Sequence, residues 1–186
     1  AVDAYDQAIA SDDGNVFLSP FSISSALSMT FAGARGTTAE EMRSVLHVLN
    51  SDEVHHESFG ALSRDIDSFE KHRLYDLTIA NRLFGQDGRT WEQPFLDITA
   101  DDYGAPMEPI DFDQADAARE HINGWVADRT EDLIPELFPA GSISADTQLV
   151  LANAIYFKGE WKQSFEKKST ASLDFTRADG STVSVQ

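Results

Sequence analysis

The chain has 186 residues, 41% hydrophobic and 10% aromatic, which is enough to bury a sizeable core and too apolar for a disordered chain. Asp and Glu number 32 against 14 Lys and Arg, a formal net charge of -18; this excludes nucleic acid and anionic membranes as partners, because both are held through clustered Lys and Arg. There is no cysteine, hence no disulfide, thiolate metal site or thiol nucleophile, and the redox compartment leaves no trace.

The chain opens with a short amphipathic segment, Val2 to Ile9, the tail of a helix. It lacks the positive flank and apolar run of a secretion signal. "NVFLSP" follows as a short apolar strand. Ser19 stands where an N-cap belongs, with Pro20 at the first helical position, where its missing N–H costs nothing. The helix beyond, "FSISSALSMTFAGA", carries no charge before Arg35 and mixes apolar residues with Ser and Thr on every side, as a core helix does. "GARGTT" breaks it, and Thr38 with Glu41 forms a capping-box pattern for a helix ending near His47.

Asp52 to His72 is a mixed-charge helical region with Phe59, Leu62, Ile66 and Phe69 at helical spacing. "LYDLTIANRLFG" is a strand, closed by the turn residues Asp87-Gly88. Trp91, Phe95 and Ile98 fall at i, i+4 and i+7, a short helix ending near Gly104. "PMEPIDF" is extended, and its two prolines place it at an edge or a strand start. A helix from about Gln114 to Thr130 starts behind an Asp113 N-cap and packs through Ile122, Trp125, Val126 and Leu133. A turn-rich connection leads to "TQLVLANAIYFKGEW", a buried strand. "SLDFTRADGSTVSVQ" closes the chain with two strand-like runs around an Asp-Gly turn. Helices first, then strands separated by helices without regular alternation, predict an α+β fold on a mainly antiparallel sheet.

Catalytic and metal constellations are thin. There is no G-x-S-x-G, H-E-x-x-H, P-loop or G-x-G-x-x-G, and the many Asp pairs are expected of so acidic a chain. His55-His56-Glu57 points to different sides of its helix with no i, i+4 partner, so it reads as a solvated face and not a metal site. No stretch approaches the length of a membrane span. The spread acidity keeps the surface solvated, and the excess of Asp with scarce Lys points further, to a halophile-like adaptation to high salt.

Polar residues in apolar surroundings say more. Ser19, Ser22, Ser24, Ser25 and Ser28 lie on the core helix, and Asn153 lies inside the buried strand. Leaving such a group unpaired costs on the order of 1–3 kcal/mol, so they must meet one another or the backbone. Alternation puts Leu149, Leu151, Asn153, Ile155 and Phe157 on one face of the strand. Val150, Ala152, Ala154 and Tyr156 take the other, small enough at its centre for a helix to lie close.

Read together, "NVFLSPFSISSALSMTFAGARGTTAEEM", "LTIANRLFG" and "HINGWVADRTEDLIPELFPAGSISADTQLVLANAIYFKGEWKQSF" resemble the serpin family, in the right order over nearly the whole chain. The first looks like the family's first core strand and helices B and C, the second like strand 2 of sheet A. The third looks like helix F, its return loop and strand 3 of sheet A. The resemblance implies N-terminal helices packed on a mainly antiparallel sheet A, with the start of sheets B and C. It also implies a serine-type endopeptidase inhibitor: a serine or cysteine protease attacks a reactive-centre loop, and the cleaved loop inserts into sheet A. By motif match, Ser19, Ser22 and Asn153 take the family's shutter positions and Trp161 its breach. Asn123, Val126 and Thr130 lie on the helix covering the sheet, and Asn153 is expected to meet the serines of the core helix.

Set against a family-length protein, residues 1–186 form a partial domain, its N-terminal half, without strand 5 of sheet A, the hinge, the reactive-centre loop or the C-terminal half. The resemblance implies no catalytic residue, no cofactor, an extracellular setting and a monomer at full length. Glycosaminoglycan activation is not expected, because Glu53, Glu57 and Asp65 stand among Arg64, Lys71 and Arg73. A non-inhibitory serpin-fold protein that binds or assists folding uses the same residues, and only the hinge sequence separates the two readings.

Overall fold

The computed structural model describes residues 2–11, 16–68 and 75–186. Helix α1 (Val2–Ser11) leaves Val2, Tyr5 and Ile9 exposed. Helix α2 (Pro20–Gly33) begins as its sequence predicts: Ser19 Oγ accepts the Ser22 N–H at 3.2 Å, and proline occupies the first turn. Its far end is closed by Arg35, whose guanidinium donates to the Ala32 and Ala34 carbonyls at 3.0 and 2.6 Å. The stretch before it is not the expected strand. Val16–Ser19 has no ladder partner among the described residues, and Phe17 is fully exposed; Asn15 lies outside them. A strand exists only with a neighbour to take its N–H and C=O groups.

Helix α3 (Gly36–Val45) starts two residues before the predicted capping box. Gly36 takes a left-handed φ of 58° to turn the chain, so Thr38 is already inside the helix and no side chain caps it. Helix α4 (Asp52–Ser68) keeps Phe59 and Ile66 half-buried but exposes Leu62; Phe69, Lys71, His72 and Arg73 fall outside the described residues.

Strand β1 (Tyr75–Gln86) runs into the Asp87-Gly88 turn, where the Asp87 carboxylate accepts the Gly88 N–H at 2.8 Å. Helix α5 (Gln93–Tyr103) ends on Gly104 in the left-handed conformation, φ 59°. It carries the chain across to β2 (Met107–Ile110), which pairs parallel with β1 at the sheet edge, as its proline suggested. Helix α6 (Ala115–Arg129) follows a 3-10 turn at Phe112–Gln114. Asp113, the expected cap, lies inside that turn, which Asp111 caps by accepting the Asp113 N–H at 3.0 Å; α6 itself starts from Gln114 with no side-chain cap, and Phe112 is fully buried. Leu133, expected on the packed face, is 73% exposed: Glu131 and Asp132 take left-handed angles and swing the chain off the helix.

Strand β3 (Leu149–Gly159) pairs antiparallel with β1 from Tyr75↔Gly159 to Gly85↔Leu149, completing the order β2-β1-β3. The fold is α+β on a mixed sheet whose long ladder is antiparallel. Strands β4 (Leu173–Thr176) and β5 (Thr182–Val185) form a separate hairpin around Gly180. No helix among the described residues is long and apolar enough to cross a membrane.

Strict alternation splits the core into two layers. Leu83, Leu149 and Leu151 face α2 and α5 through Met29, Ala32 and Phe95, while Phe84, Val150 and Ala152 face α6 through Ala118 and Ile122. Each fully buried Leu or Phe contributes about 1.5–3 kcal/mol. At Gly85 a Cβ would stand 2.6 Å from Met107 Sδ and 3.0 Å from the Trp91 ring, so any larger residue there forces both side chains to shift.

Candidate functional site

Asn153 sits at the middle of β3 directly opposite Asn81 of β1. Directly opposed residues share a face of an antiparallel pair and stand about 5 Å apart, nearer than a helix stacked on that face. Asn153 therefore meets Asn81 and not the expected serines: its Nδ2 donates to Asn81 Oδ1 at 2.6 Å. Asn81 Nδ2 in turn donates to the Tyr103 carbonyl at 3.0 Å. That carbonyl is free because it belongs to the last turn of α5, where no following N–H is in reach within the helix.

Behind Tyr103 stands the histidine pair that reads as a solvated face. The structure contradicts that reading. His56 is 2% exposed, and its Nδ1 lies 2.7 Å from the Tyr103 hydroxyl. Its helix is drawn close at Gly60, where a Cβ would come within 3.0 Å of the Asp102 backbone. Leu62 pointed to the wrong edge of this helix; the buried stripe runs through His56, Phe59, Gly60, Ser63 and Ile66, and its spacing from Phe59 was the available signal. His55 Nε2 lies 3.0 Å from Ser28 Oγ on α2. Burial, then the neighbouring His55, lowers the His56 pKa to about 4 against the pull of Asp52. Burial likewise lowers His55 and raises Tyr103, so the network is neutral at pH 7. No group of three or more acidic or histidine side chains among the described residues is placed to hold a metal.

Of the other predicted positions, Ser19 caps α2, and the Ser22 hydroxyl is buried without a hydrogen-bond partner among the described residues. Trp161 lies beyond β3, 73% exposed, edge-to-face with Phe165 at 5.7 Å, and is not gathered with the asparagines. Val126 is buried on α6, which lies over the sheet. Asn123, on the same helix, and Thr130, at its C-cap, also hold the return segment. Asn123 Nδ2 donates to the Phe138 carbonyl at 2.9 Å, and Oδ1 accepts from Leu137 and Phe138 N–H at 3.0 and 2.9 Å. Thr130 Oγ1 donates to the Val126 carbonyl and accepts the Ile134 N–H.

A second fastening went unread in the sequence. Glu108 on β2 accepts from Arg82 of β1 and from His121 of α6, the latter at 2.6 Å, while the Arg82 guanidinium lies 5.7 Å over the Trp125 ring. Burial pushes the Glu108 carboxyl up, but these two partners more than offset it and hold the carboxyl below its ordinary range. On the described part of α4, Arg64 stands alone among Glu53, Glu57 and Asp65, so no basic stripe forms there.

Comparison with known proteins supplies the frame for this arrangement. Residues 1–186 match the family model described as Serpin (serine protease inhibitor). Human leukocyte elastase inhibitor is 44% identical over 163 residues, covering 87% of this chain and 42% of that protein. Human serpin B13 is 36% identical, covering 99% of this chain and 51% of that one. The structure of Manduca sexta serpin-12 superposes with a TM-score of 0.88 at 30% identity, over 98% of this chain and 50% of that one. The chain thus spans about half the length of the relatives it matches.

Proposed function

The chain belongs to the serpin family, and from that premise we propose that the full-length protein inhibits a serine-type endopeptidase by letting its own cleaved loop enter the sheet of β1 and β3. The observation that carries this reading is the polar seam at the centre of an otherwise apolar sheet. Asn81 and Asn153 face each other among Leu83, Leu149 and Leu151, with α6 over the opposite face. A sheet built only for stability has apolar groups there, since a paired amide contributes only about 1 kcal/mol net. An amide pair gives up less when the sheet rearranges, because the released groups find partners in an incoming strand. The far edge of β3 has no ladder partner among the described residues, and it is the side from which such a strand would pair.

In this reading Ser19, Ser22 and Asn153 form the shutter beneath the opening sheet, Trp161 marks the breach where insertion begins, and Asn123, Val126 and Thr130 hold the covering helix. The protein acts as a single-use inhibitor and not as a catalyst.

The test mixes the full-length protein with a panel of serine proteases. The expected result is a covalent complex that survives denaturation with at least one of them, and a rise in Tm after loop cleavage. No complex with any protease, together with an unchanged Tm after cleavage, would sink the proposal.

A further inference from the structure

A cleft of about 650 Å³, the size of a small-molecule site, opens between α4 and α5 beside the junction of α2 and α3. Its two walls carry the same sign of charge. Glu53 and Glu57, one helical turn apart, line it from α4; Asp97 and Asp101, also one turn apart, line it from α5. None of the four has an ion pair among the described residues. Asp97 takes one neutral hydrogen bond, from Gln93 Nε2 at 2.7 Å. The positive charges nearby are committed elsewhere: Arg35 donates to the Ala32 and Ala34 carbonyls, and Arg43 pairs with Asp52. Burial raises the Asp102 carboxyl at the cleft's edge. Arg64 opposes this, while Glu57 and Asp101, one from each wall, add to it.

The floor differs in kind. Phe31, Ala32 and Ile98 make it apolar, and His56 lies with them, 2% exposed. Its Nδ1 is turned to the Tyr103 phenol at 2.7 Å, so the opposite edge of the ring, which carries Nε2, is the one that lines the cleft. Nε2 has no hydrogen-bond partner among the described residues. Four unpaired carboxylates above an open imidazole nitrogen lack a cation. That cation is not a metal ion, since no three acidic or histidine groups among the described residues converge on one point. The matching charge is spread along an apolar stem.

The geometry points to a binding site for an aliphatic polyamine, its methylenes over Phe31 and Ile98 and its ammonium groups between the Glu53–Glu57 and Asp97–Asp101 walls, one of them donating to His56 Nε2. A neutral imidazole has one donor and one acceptor nitrogen, and this ligand selects the tautomer in which Nδ1 donates to the Tyr103 oxygen and Nε2 accepts. A single lysine side chain brings one ammonium and leaves a wall unmatched. The inference is independent of the inhibitor reading.

The experiment titrates spermidine into the full-length protein at pH 7 and low ionic strength, with the His56 ring ¹⁵N resonances assigned. Nε2 should shift saturably towards the position of an acceptor nitrogen. Glu57→Gln combined with Asp101→Asn should weaken binding roughly tenfold, because two close charge contacts are lost. Asp128→Asn combined with Glu131→Gln makes the same change in net charge on α6 and its return segment, and should alter binding by less than about twofold. Magnesium gathers at an acidic surface but has no stem, and should leave the His56 nitrogens in place. An unmoved Nε2 throughout the spermidine titration overturns the inference. So do equal weakening in the two double variants and an equal shift with magnesium, both of which mean a counterion cloud only. Acetylated trilysine binding at the cleft more tightly than spermidine also overturns it, and assigns the walls to a basic protein segment instead.

Discussion

Removing the two asparagines singly and together measures what the seam contributes. Asn153→Ala strands one acceptor, Asn81 Oδ1, at a residue 9% exposed. A stranded buried group costs about 1–3 kcal/mol, so the expected loss is about 2 kcal/mol. Asn81→Ala strands two groups, the Tyr103 carbonyl and Asn153 Nδ2, the second on a half-buried residue, so its loss is larger, about 3 kcal/mol. In the double variant only the Tyr103 carbonyl is left stranded, so the loss falls to about 2 kcal/mol, well short of the sum, and the coupling is about 3 kcal/mol. Replacing both by leucine removes the amide pair but still strands the Tyr103 carbonyl, so its loss should be no larger than that of the double alanine variant. Equilibrium urea unfolding of the full-length protein at pH 7, with the slopes compared, reads all four. Losses that add to within ~0.5 kcal/mol, or Asn153→Ala costing more than Asn81→Ala, would refute the line of bonds drawn above.

Three other outcomes follow from the same geometry. The unfolded chain takes up a proton at His56 near the ordinary histidine pKa, but the fold resists until about 4, so stability falls as the pH drops between these values and levels off below. The slope is about 1.4 kcal/mol per pH unit and the total at most ~3 kcal/mol; His56→Gln should lack this component in urea titrations from pH 7 to 4, and identical profiles would exclude it. Ser22→Ala removes a buried hydroxyl with no partner among the described residues and should lie within ~1 kcal/mol of wild type in urea, on the stabilising side; a larger loss would show the hydroxyl to be engaged in the full-length protein. Asn123→Ala strands the Leu137 and Phe138 N–H groups, while the Phe138 carbonyl keeps Arg119 at 3.4 Å, and should cost roughly 1–3 kcal/mol. Limited proteolysis should then cut faster within residues 131–148, and an unchanged cleavage rate would contradict the stapling role.

How far the sequence could be read depended on whether a signal was local. The Ser19-Pro20 start of α2, the Gly104 stop of α5 and the alternation of β3 are written in adjacent residues, and each stands in the structure as read. The partner of Asn153 was not local. Asn81 lies 72 residues earlier, and only the register of two strands brings them face to face. The serines looked the better partners because they were numerous, but a helix on a sheet stands farther off than the opposite strand. His56 was missed for a similar reason. Two adjacent histidines must point apart, yet that rule does not say which of them is covered, and the answer came from α5 closing over Gly60. Gly36 hid the start of α3, since a glycine before a capping box moves the helix forward without altering the pattern behind it.

The Asn123 carboxamide has a mechanical consequence. Three bonds from one side chain weld Leu137 and Phe138 onto α6, and Thr130 welds Ile134, so the helix and much of its return segment are one rigid plate. Such a plate cannot crumple to make way. It can swing only about its two mountings, the turn at Phe112–Gln114 and the turn that Thr147 closes on Ser144. The Glu108 clasp to His121 sits on the first half of the helix. The plate is therefore fastened by a charged clasp near its first mounting, and towards the second by the burial of Val126, Thr130 and Ile143 alone.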